Sequence, residues 1–275
     1  MKKKVLIIAE AGINHNGSLK IAKKLVDIAS KCGADFVKFQ TYDVNLITTH
    51  YADLASYQKK YIKNIKSQFQ ILKKNSLSFK EFEVLKKYCF KKKIKFMSSP
   101  FDIKSIKFLN KIRCKTFKVP SGEINNYPYL QAIGKLNKNI IISTGMADLK
   151  EITFALKTLV KSGTKKNNII ILHCTSEYPA KLHNINLNFL TMLKKIFKLN
   201  IGYSDHTLGY ETAIAAVALG ATVIEKHFTF NKSAVGPDHN MSLSAKELKE
   251  FIKKIRNIEI LLGRYKKIIC NSEKE

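Results

Sequence analysis

The sequence predicts a single-domain (β/α)8 TIM barrel within 275 residues. Three observations support this prediction: short runs rich in Val, Ile and Phe recur along the chain, helical patterns alternate with them, and the repeat occurs eight times. Near-continuous apolar strands are typical of parallel sheets covered by helices. Eight repeats favour a closed barrel over an open doubly wound sheet. No GxGxxG motif follows any predicted strand, which argues against a dinucleotide-binding fold.

The predicted strands begin with KVLIIAE, residues 4–10. This segment follows a basic start, but it ends in an acid rather than at a small-residue cleavage site, so we interpret it as a strand and not as a signal peptide. The other strands read DFVKFQ, IKFMSSP, TFKVPSG, NIIISTG, NIIILHC, NIGYSD and TVIEKHF. Helical patterns such as LKIAKKLVDIASKCG lie between them, and SAKELKEFIKKIRNIEILLG follows the eighth strand. Several of these patterns end in Gly, as helices often do.

One connection is unusually long. Residues 41–78 separate the second strand from the helix that begins near Phe79. A connection of this length is more often a lid or an interface than an idle loop. We expect it to be partly helical.

The net charge of +28 has two explanations. Clustered basic residues are typical of nucleic-acid-binding proteins. However, the only arginines are Arg113, Arg256 and Arg264, and the many lysines are spread along the chain among apolar residues at helical spacing. Arg is the preferred residue for bidentate phosphate and base recognition. We therefore favour solvated helix faces over a nucleic-acid partner, and we note that a positive field would steer an anionic substrate.

Cysteine usage and hydropathy indicate the cellular setting. The five cysteines form no CxxC pair and no metal-finger spacing, so we predict reduced thiols and a cytoplasmic protein. No uninterrupted apolar run reaches the roughly 18 residues of a membrane span.

Polar residues stand where the predicted strands end. In a TIM barrel the catalytic groups come from the carboxyl ends of the strands and the loops that follow them. Side chains alternate along a strand, so Lys38 shares a face with Gln40, and Glu225 shares a face with His227. Because buried polar groups without partners are costly, these groups must meet one another or a ligand. The candidate site residues are Glu10, Lys38, Gln40, Ser99, Lys118, Ser121, Glu123, Ser143, Ser176, Tyr178, Ser204, His206, Glu225, His227 and, in the last loop, Asp238.

His206 and His227 are the candidate metal ligands. Neighbouring strands lie about 4.8 Å apart, so two histidines at adjacent strand ends can converge on one ion. Two protein ligands would leave open positions, as a Lewis-acid metal requires. The alternative for each is a hydrogen-bonded structural histidine. We assign that role to His173, which lies among apolar neighbours.

A second group combines cations with hydroxyls. Two lysines and several serines at the mouth of a barrel suit a bound phosphate. A buried lysine with a lowered pKa can instead act as a Schiff-base nucleophile. Spacing alone does not separate the two chemistries. The group comprises Lys38, Lys118, Ser99, Ser121, Ser143 and Ser204.

Eight ordered motifs resemble the N-acetylneuraminate (sialic acid) synthase family, which includes the legionaminate and pseudaminate synthases. The resemblance covers about Lys4 to Gly263. The motifs are AEAGINHNG, VKFQTY, SSPFD, KVPSGEINNYPYL, STGMA, LHCTSEYP, GYSDHTLG and VIEKHFT followed by GPDH.

The resemblance implies an activity and a set of roles. Family members condense phosphoenolpyruvate with the aldehyde of an open-chain N-acetylhexosamine, such as N-acetylmannosamine or a 2,4-diacetamido-2,4,6-trideoxymannose, and release phosphate by C–O cleavage. A divalent ion, Mn²⁺ or Mg²⁺, polarises the aldehyde. By resemblance, His206 and His227 hold this ion, and Glu123 lies near C2 of phosphoenolpyruvate. We expect Glu225 to organise the site. The residues matching phosphoenolpyruvate contacts are Lys38, Ser99, Lys118, Ser121, Ser143 and Ser204; those around the sugar and metal are Glu10, Gln40, Tyr178 and Asp238.

Two departures from the family pattern bear on activity. Ser99 and Ser176 stand where some relatives have Thr and Asn, and Ser176 therefore lacks an amide. Members usually continue into a small antifreeze-like domain that reaches the partner subunit's site in a homodimer. The resemblance thus predicts a barrel over 1–263 and the start of a linker over 264–275. The alternatives are another barrel aldolase or keto-acid synthase, or a catalytically weak barrel without its cap.

Overall fold

The computed structural model describes residues 4–54, 67–263, 266–267 and 269–274. Within these ranges eight parallel strands alternate with helices, as the sequence predicts. The strands are β1 Leu6–Gly12, β2 Phe36–Thr41, β3 Lys95–Pro100, β4 Thr116–Val119, β5 Asn139–Ser143, β6 Ile169–Cys174, β7 Asn200–Asp205 and β8 Val223–His227. The α-helices are α1 Leu19–Cys32, α2 Val44–Ile47, α3 Gln68–Lys74, α4 Phe79–Lys91, α5 Ile103–Lys111, α6 Tyr127–Gly134, α7 Leu149–Lys161, α8 Asn188–Phe197, α9 Glu211–Ala218 and α10 Ala245–Leu261.

The strands form one sheet in the order β3-β2-β1-β8-β7-β6-β5-β4. Every hydrogen-bonded neighbour in this order is parallel. The two end strands, β3 and β4, lie against each other, so the sheet curls into a nearly closed barrel. The predicted TIM barrel is confirmed.

Local sequence signals fix the helix ends. Ser78, Asp148 and Ser244 each cap a helix, and a glutamate three residues on returns a hydrogen bond to the cap backbone. Such a capping box satisfies backbone N–H groups that the first turn leaves unpaired. Helix α1 ends at Gly33, whose φ of 87° is accessible to glycine at little cost.

Two predicted boundaries change in the structure. The fourth strand ends at Val119 rather than continuing through TFKVPSG, because Pro120 has no N–H to donate to a neighbouring strand. A 3₁₀ turn, Ser121–Glu123, follows it. The long connection is partly helical, as expected, since α2 and α3 lie in it. Its middle, residues 55–66, falls outside the described residues.

Apolar residues pack in two places. The larger core lies between the strands and the surrounding helices. A smaller one fills the barrel interior at its amino-terminal side, and we call it the plug: Ile8, Phe36, Met97, Ile141, Leu172 and Val223. Two residues further along each of these strands stands a residue on the same face. These next residues are Glu10, Lys38, Ser99, Ser143, Cys174 and Glu225. The period of the strands therefore places a mostly polar layer directly above the plug.

All five cysteines are free. None of the helices in the part of the chain that the structure describes combines the length and apolar character needed to cross a bilayer.

The plug leaves no room beside Gly202. A Cβ added there would lie 2.3 Å from the Val223 carbonyl oxygen and 2.6 Å from Leu172 Cδ2. We expect Gly202→Ala to lower the free energy of unfolding by about 1–3 kcal/mol, as overpacked cores do. Chemical denaturation would measure it. The control is Gly122→Ala, whose Cβ would meet nothing within 4 Å. Equal stability of the two variants would contradict tight packing around the plug.

Candidate active site

A cavity of about 730 Å³ opens at the carboxyl ends of the strands. This is the end of a TIM barrel where catalytic groups are found. Thirteen of the fifteen predicted site residues line it: Glu10, Lys38, Gln40, Ser99, Lys118, Ser121, Ser143, Ser176, Tyr178, Ser204, His206, Glu225 and His227. The predicted parity is confirmed, because Lys38 and Gln40, like Glu225 and His227, face the same cavity.

Four charged side chains form a buried cluster on the cavity floor. Lys38 Nζ lies 3.0 Å from Glu10 Oε2 and 3.3 Å from Glu225 Oε1. Lys118 Nζ lies 3.6 Å from the same Glu225 oxygen. All four residues are at least 95% buried. We call them the charge cluster. Its formal charges balance, two positive against two negative, which is how a barrel interior can hold ions away from water.

Burial and neighbouring charges set the pKa values of the acids in opposite directions. Burial would raise the pKa of Glu225, but the ammonium groups of Lys118 and Lys38 outweigh it and lower that pKa to about 2. For Glu10 burial prevails over the attraction of Lys38, and the pKa rises to about 7. Glu225 is therefore a permanent anion at neutral pH. Glu10 is poised to gain or lose a proton there.

The two lysines differ as well. Burial lowers the pKa of Lys118. It would also lower that of Lys38, but Glu10 and Glu225 outweigh it and the pKa of Lys38 rises. Both ammonium groups keep hydroxyl partners: Lys38 Nζ donates to Ser99 Oγ at 3.2 Å, and Lys118 Nζ donates to Ser143 Oγ at 2.7 Å.

Gly145 lies next to three residues of the cavity lining, Ser121, Cys174 and Ser176. Its N–H donates to Ser121 Oγ at 3.0 Å. A Cβ at Gly145 would lie 2.2 Å from Ser176 Oγ, 2.9 Å from Ser121 Oγ and 3.0 Å from Cys174 Sγ. Only glycine fits between these groups, so hydroxyls, a thiol and a backbone amide surround one point. Together with the lysines they suit an anion with several oxygens.

His206 and His227 meet at the cavity wall, with ring centroids 6.0 Å apart. His206 Nδ1 donates to the Thr175 carbonyl oxygen at 2.6 Å. This bond fixes the tautomer and leaves the lone pair of Nε2 available, 3.3 Å from Ser204 Oγ. His227 Nδ1 is buried and has no hydrogen-bond partner among the described residues. The Tyr178 ring lies against His206, with centroids 4.2 Å apart.

The histidine pair supplies two candidate ligands for a divalent ion. Burial lowers the pKa of His206 to about 4 and that of His227 well below its usual range, so both rings are neutral at pH 7 and can donate lone pairs. Glu10 Oε1, Gln40 Nε2 and His227 Cε1 all lie within 3.5 Å of the position that a Cβ at Gly12 would occupy. One carboxylate oxygen, that of Glu10, thus stands near the His227 imidazole. In the described ranges, no group of three or more His, Cys, Asp or Glu side chains is placed to hold a metal ion together.

Two predicted residues stand apart from the cavity lining. Glu123 is half-buried and accepts a hydrogen bond from Asn126 Nδ2 at 2.7 Å, and burial raises its pKa. Asp238 is buried in the loop after β8, where burial raises its pKa to about 6. Sequence alternation could not place either one, because both lie in loops.

Sequence reasoning missed three contributors to the site. Cys174, two residues after Leu172 on β6, faces inward and lies 3.2 Å from Ser121 Oγ; the alternation of the strand was the signal for it. Gly12 and Gly145 contribute space, because a Cβ at either position would lie against side chains of the site. The tertiary structure shows this, and the sequence does not. His173 is a structural histidine, as expected, since its Nε2 lies 2.7 Å from the Ile185 carbonyl oxygen.

The chain is similar to known proteins over nearly its whole length. The NeuB family model matches residues 25–267. The chain is 51% identical over 273 residues to the N,N'-diacetyllegionaminic acid synthase of Campylobacter jejuni, covering 99% of this chain and 82% of that protein. It is 43% identical to the synthase of the same name from Legionella pneumophila, covering 97% and 76%. Among solved structures, the N-acetylneuraminic acid synthetase of Leptospira borgpetersenii superimposes with a TM-score of 0.86 at 33% identity, covering 99% and 90%.

The buried Asp238 generates a pH prediction. Its pKa is about 6 in the folded protein and about 3.9 in an unfolded chain. Such a raised pKa means that the folded state binds the proton more tightly than the unfolded state. The protonated Asp238 therefore contributes its full stability to the folded state below about pH 4, and this contribution is lost as pH rises through 6. We expect Asp238→Asn to be more stable than wild type at pH 8, by about 2–3 kcal/mol from this shift, and to lose the advantage at pH 4.

Urea denaturation at pH 4, 6 and 8 would measure the difference. The control is Asp53→Asn, at an exposed position. A constant difference between wild type and Asp238→Asn across this range would show that the carboxyl group does not titrate with a raised pKa.

Proposed function

Because the chain belongs to the NeuB family, we propose that it condenses phosphoenolpyruvate with the aldehyde of an open-chain N-acetylated amino sugar. The products are a nine-carbon 2-keto acid and inorganic phosphate. The observation that carries this proposal is the combination, in one cavity, of two buried lysines ringed by hydroxyls with two neutral histidines. The first group suits a phosphorylated acid, and the second suits a carbonyl held on a cation.

Phosphoenolpyruvate would bind over the charge cluster. Its phosphate and carboxylate carry the negative charge that Lys38 and Lys118 attract. Ser99, Ser143 and the Gly145 amide offer further donors at the rim. The carboxylate of Glu225 lies within 3.6 Å of both lysine Nζ atoms and favours their charged forms before the substrate arrives. The lysines are thus preorganised, and little rearrangement is needed on binding.

The reaction forms one C–C bond and one C–O bond from water to C2, and it breaks the C–O bond between C2 and phosphate. C3 of phosphoenolpyruvate attacks the aldehyde carbon, and the aldehyde oxygen must take a proton. Water then attacks C2 and loses both of its protons as the C2 carbonyl forms. Phosphate leaves with the oxygen that joined it to C2 and takes up one of these protons, and the other balances the proton gained by the aldehyde oxygen. We assign the proton donation to Glu10, which is buried in the cavity beside Gln40 and His227. Guiding the water stays a predicted role of Glu123, and Asp238 a predicted sugar contact.

A divalent ion, Mn²⁺ or Mg²⁺, is part of the proposal. His206 and His227 would hold it, and when bound it would act as a Lewis acid on the aldehyde oxygen. Tyr178, packed on the His206 ring, would border the sugar.

The sugar is proposed from the relatives. Two of the three named above are N,N'-diacetyllegionaminic acid synthases, at 51% and 43% identity, and the third, an N-acetylneuraminic acid synthetase, is 33% identical. We therefore propose a 2,4-diacetamido-2,4,6-trideoxymannose as the preferred acceptor and N-acetylmannosamine as a poorer one. Activity in the cytoplasm stays a prediction.

We also propose a homodimer. Exposed large apolar side chains stand in the segments that follow six different strands, at the end of the barrel where the cavity opens. Scattered single residues of this kind are ordinary, but several at one end of a barrel can form an interaction surface. These residues are Leu46, Tyr51, Tyr127, Met146, Leu182, Leu208 and Val235. Sedimentation equilibrium of wild type and of Leu182→Asp/Val235→Asp tests it; a wild-type monomer would refute the dimer.

Phosphate release tests the function. We expect turnover of phosphoenolpyruvate with Mn²⁺ and the diacetamido sugar, and a slower rate with N-acetylmannosamine. His206→Ala or His227→Ala should lower kcat/KM by about 10²–10³-fold, the scale of removing a group that stabilises developing charge. His183→Ala, at an exposed position, is the control. Absence of both turnover and phosphoenolpyruvate binding would exclude the synthase.

A Schiff-base aldolase is the second candidate, because burial lowers the pKa of Lys118 and an uncharged amine is the nucleophile in that chemistry. Borohydride reduction with pyruvate, followed by mass spectrometry, distinguishes the two. We expect no label on Lys118 or Lys38. A label on either lysine would replace the proposed reaction with a Schiff-base one.

A further inference from the structure

A second buried ion pair lies behind the cavity wall, between Lys226 and Asp205. Lys226 Nζ lies 2.7 Å from Asp205 Oδ2, and both residues are at least 98% buried. Neither lines the cavity, so substrate does not explain them. Lys226 stands between Glu225 and His227 in the chain, and Asp205 stands between Ser204 and His206.

Strand register places this pair directly behind the histidines. Ser204 is paired with Glu225, and Asp205 with Lys226, across β7 and β8. Because side chains alternate along a strand, Ser204 and Glu225 face the cavity while Asp205 and Lys226 face the helices. The next residues, His206 and His227, face the cavity again. The ion pair therefore joins the two strands at the residues that immediately precede the two histidines.

The pair also holds the chain on the far side of His206. Asp205 Oδ1 accepts hydrogen bonds from the Thr207 N–H at 2.9 Å and from Thr207 Oγ1 at 2.7 Å. Lys226 Nζ donates to the Thr207 carbonyl oxygen at 2.6 Å. Thr207 Oγ1 lies 2.8 Å from Thr212 Oγ1 on α9. Residues on both sides of His206 are thus tied to β8 and to the helix layer.

We propose that Lys226 and Asp205 are positioning residues that set the distance and direction between the His206 and His227 rings. The contacts of the His206 ring itself do not tie it to β8: Thr175 fixes its tautomer, Tyr178 covers one face, and Ser204 Oγ lies 3.3 Å from Nε2. A buried ion pair contributes little net stability compared with apolar residues of the same size, so we assign this pair to fixing the register of β7 against β8. This inference rests on the proposed metal role of the two histidines.

Mn²⁺ affinity is the readout, because a purely structural role would not move it in a folded protein. The free ion's six-line EPR signal reports binding without any turnover. Two double variants are compared: Asp205→Leu with Lys226→Met, and Asp205→Asn with Lys226→Met. Both remove the charges without leaving one unpaired, but only the second keeps an oxygen that can accept from Thr207. We expect the Asp205→Leu/Lys226→Met variant to bind Mn²⁺ about 10–100-fold more weakly than wild type, because loss of the groups that support metal ligands weakens metal affinity on this scale. The Asp205→Asn/Lys226→Met variant should lose less of the Mn²⁺ affinity.

The matched control is the Arg256–Asp35 pair, in which Arg256 Nη2 lies 3.1 Å from Asp35 Oδ2. Asp35 precedes β2, at the opposite end of the barrel. Asp35→Asn with Arg256→Met should lower the melting temperature and leave Mn²⁺ affinity unchanged. Thr207→Val keeps the ion pair and removes one hydroxyl that donates to Asp205. It should weaken Mn²⁺ binding by a smaller factor, and it provides the test if the double variants do not fold.

The outcomes separate this inference from the proposed function. In one outcome, wild type binds Mn²⁺ and His206→Ala abolishes this binding, but the Asp205→Leu/Lys226→Met and Thr207→Val variants bind Mn²⁺ as tightly as wild type. This outcome would overturn the positioning role alone. Failure of wild type to bind Mn²⁺ would overturn both the metal role and this inference. Weaker Mn²⁺ binding by the folded Asp205→Leu/Lys226→Met variant, with unchanged Mn²⁺ affinity in the Arg256–Asp35 control, would support the positioning role.

Discussion

The balance of charge inside the barrel is the constraint on which the rest of the site depends. Two lysines and two glutamates share a space that water barely reaches, and removing a charged group from water costs several kcal/mol unless a partner replaces the lost hydration. Lys38 meets this requirement by contacting Glu10 and Glu225 together. Lys118 meets it through Glu225 and the Ser143 hydroxyl. Each member thus depends on at least one other, and the cluster is stable only as a set.

The same balance gives the members different chemical properties. Glu225 is shared by both lysines, so its negative charge is stabilised, and its pKa falls to about 2. Glu10 has only one close cation, so burial dominates and its pKa rises to about 7. Two residues of the same type in one cavity therefore have different roles available: a fixed counter-charge and a group that exchanges protons near neutral pH. An incoming anionic substrate would shift this balance, because it would share the two cations with the glutamates.

Around the charge cluster, the alternation of side chains along each strand separates polar from apolar residues. Below the cluster the plug closes the interior with apolar side chains. On the outer face of the same strands, apolar residues pack against the helices, and Lys226 with Asp205 is an exception that holds its own ion pair there. Three consecutive residues of β8 illustrate the pattern: Glu225 and His227 enter the cavity while Lys226 points away from it. Their polar character inside a strand has two separate causes, since two of them line the site and one supports it from behind.

The sequence by itself determined the barrel, the family and the inward face of most strands. Eight apolar runs and the period of two residues are local properties, so they can be read without coordinates; they correctly predicted that Lys38, Gln40, Glu225 and His227 share one cavity. Tertiary structure decided what those side chains touch. The contacts of Glu225 with both Lys38 and Lys118 cross the barrel, and they depend on strand tilt and closure rather than on spacing along the chain. Loop residues such as Glu123 and Asp238 were placed by packing alone, because a loop has no period to extrapolate. The Lys226–Asp205 pair required the register of β7 against β8, which only hydrogen bonds between distant parts of the chain establish.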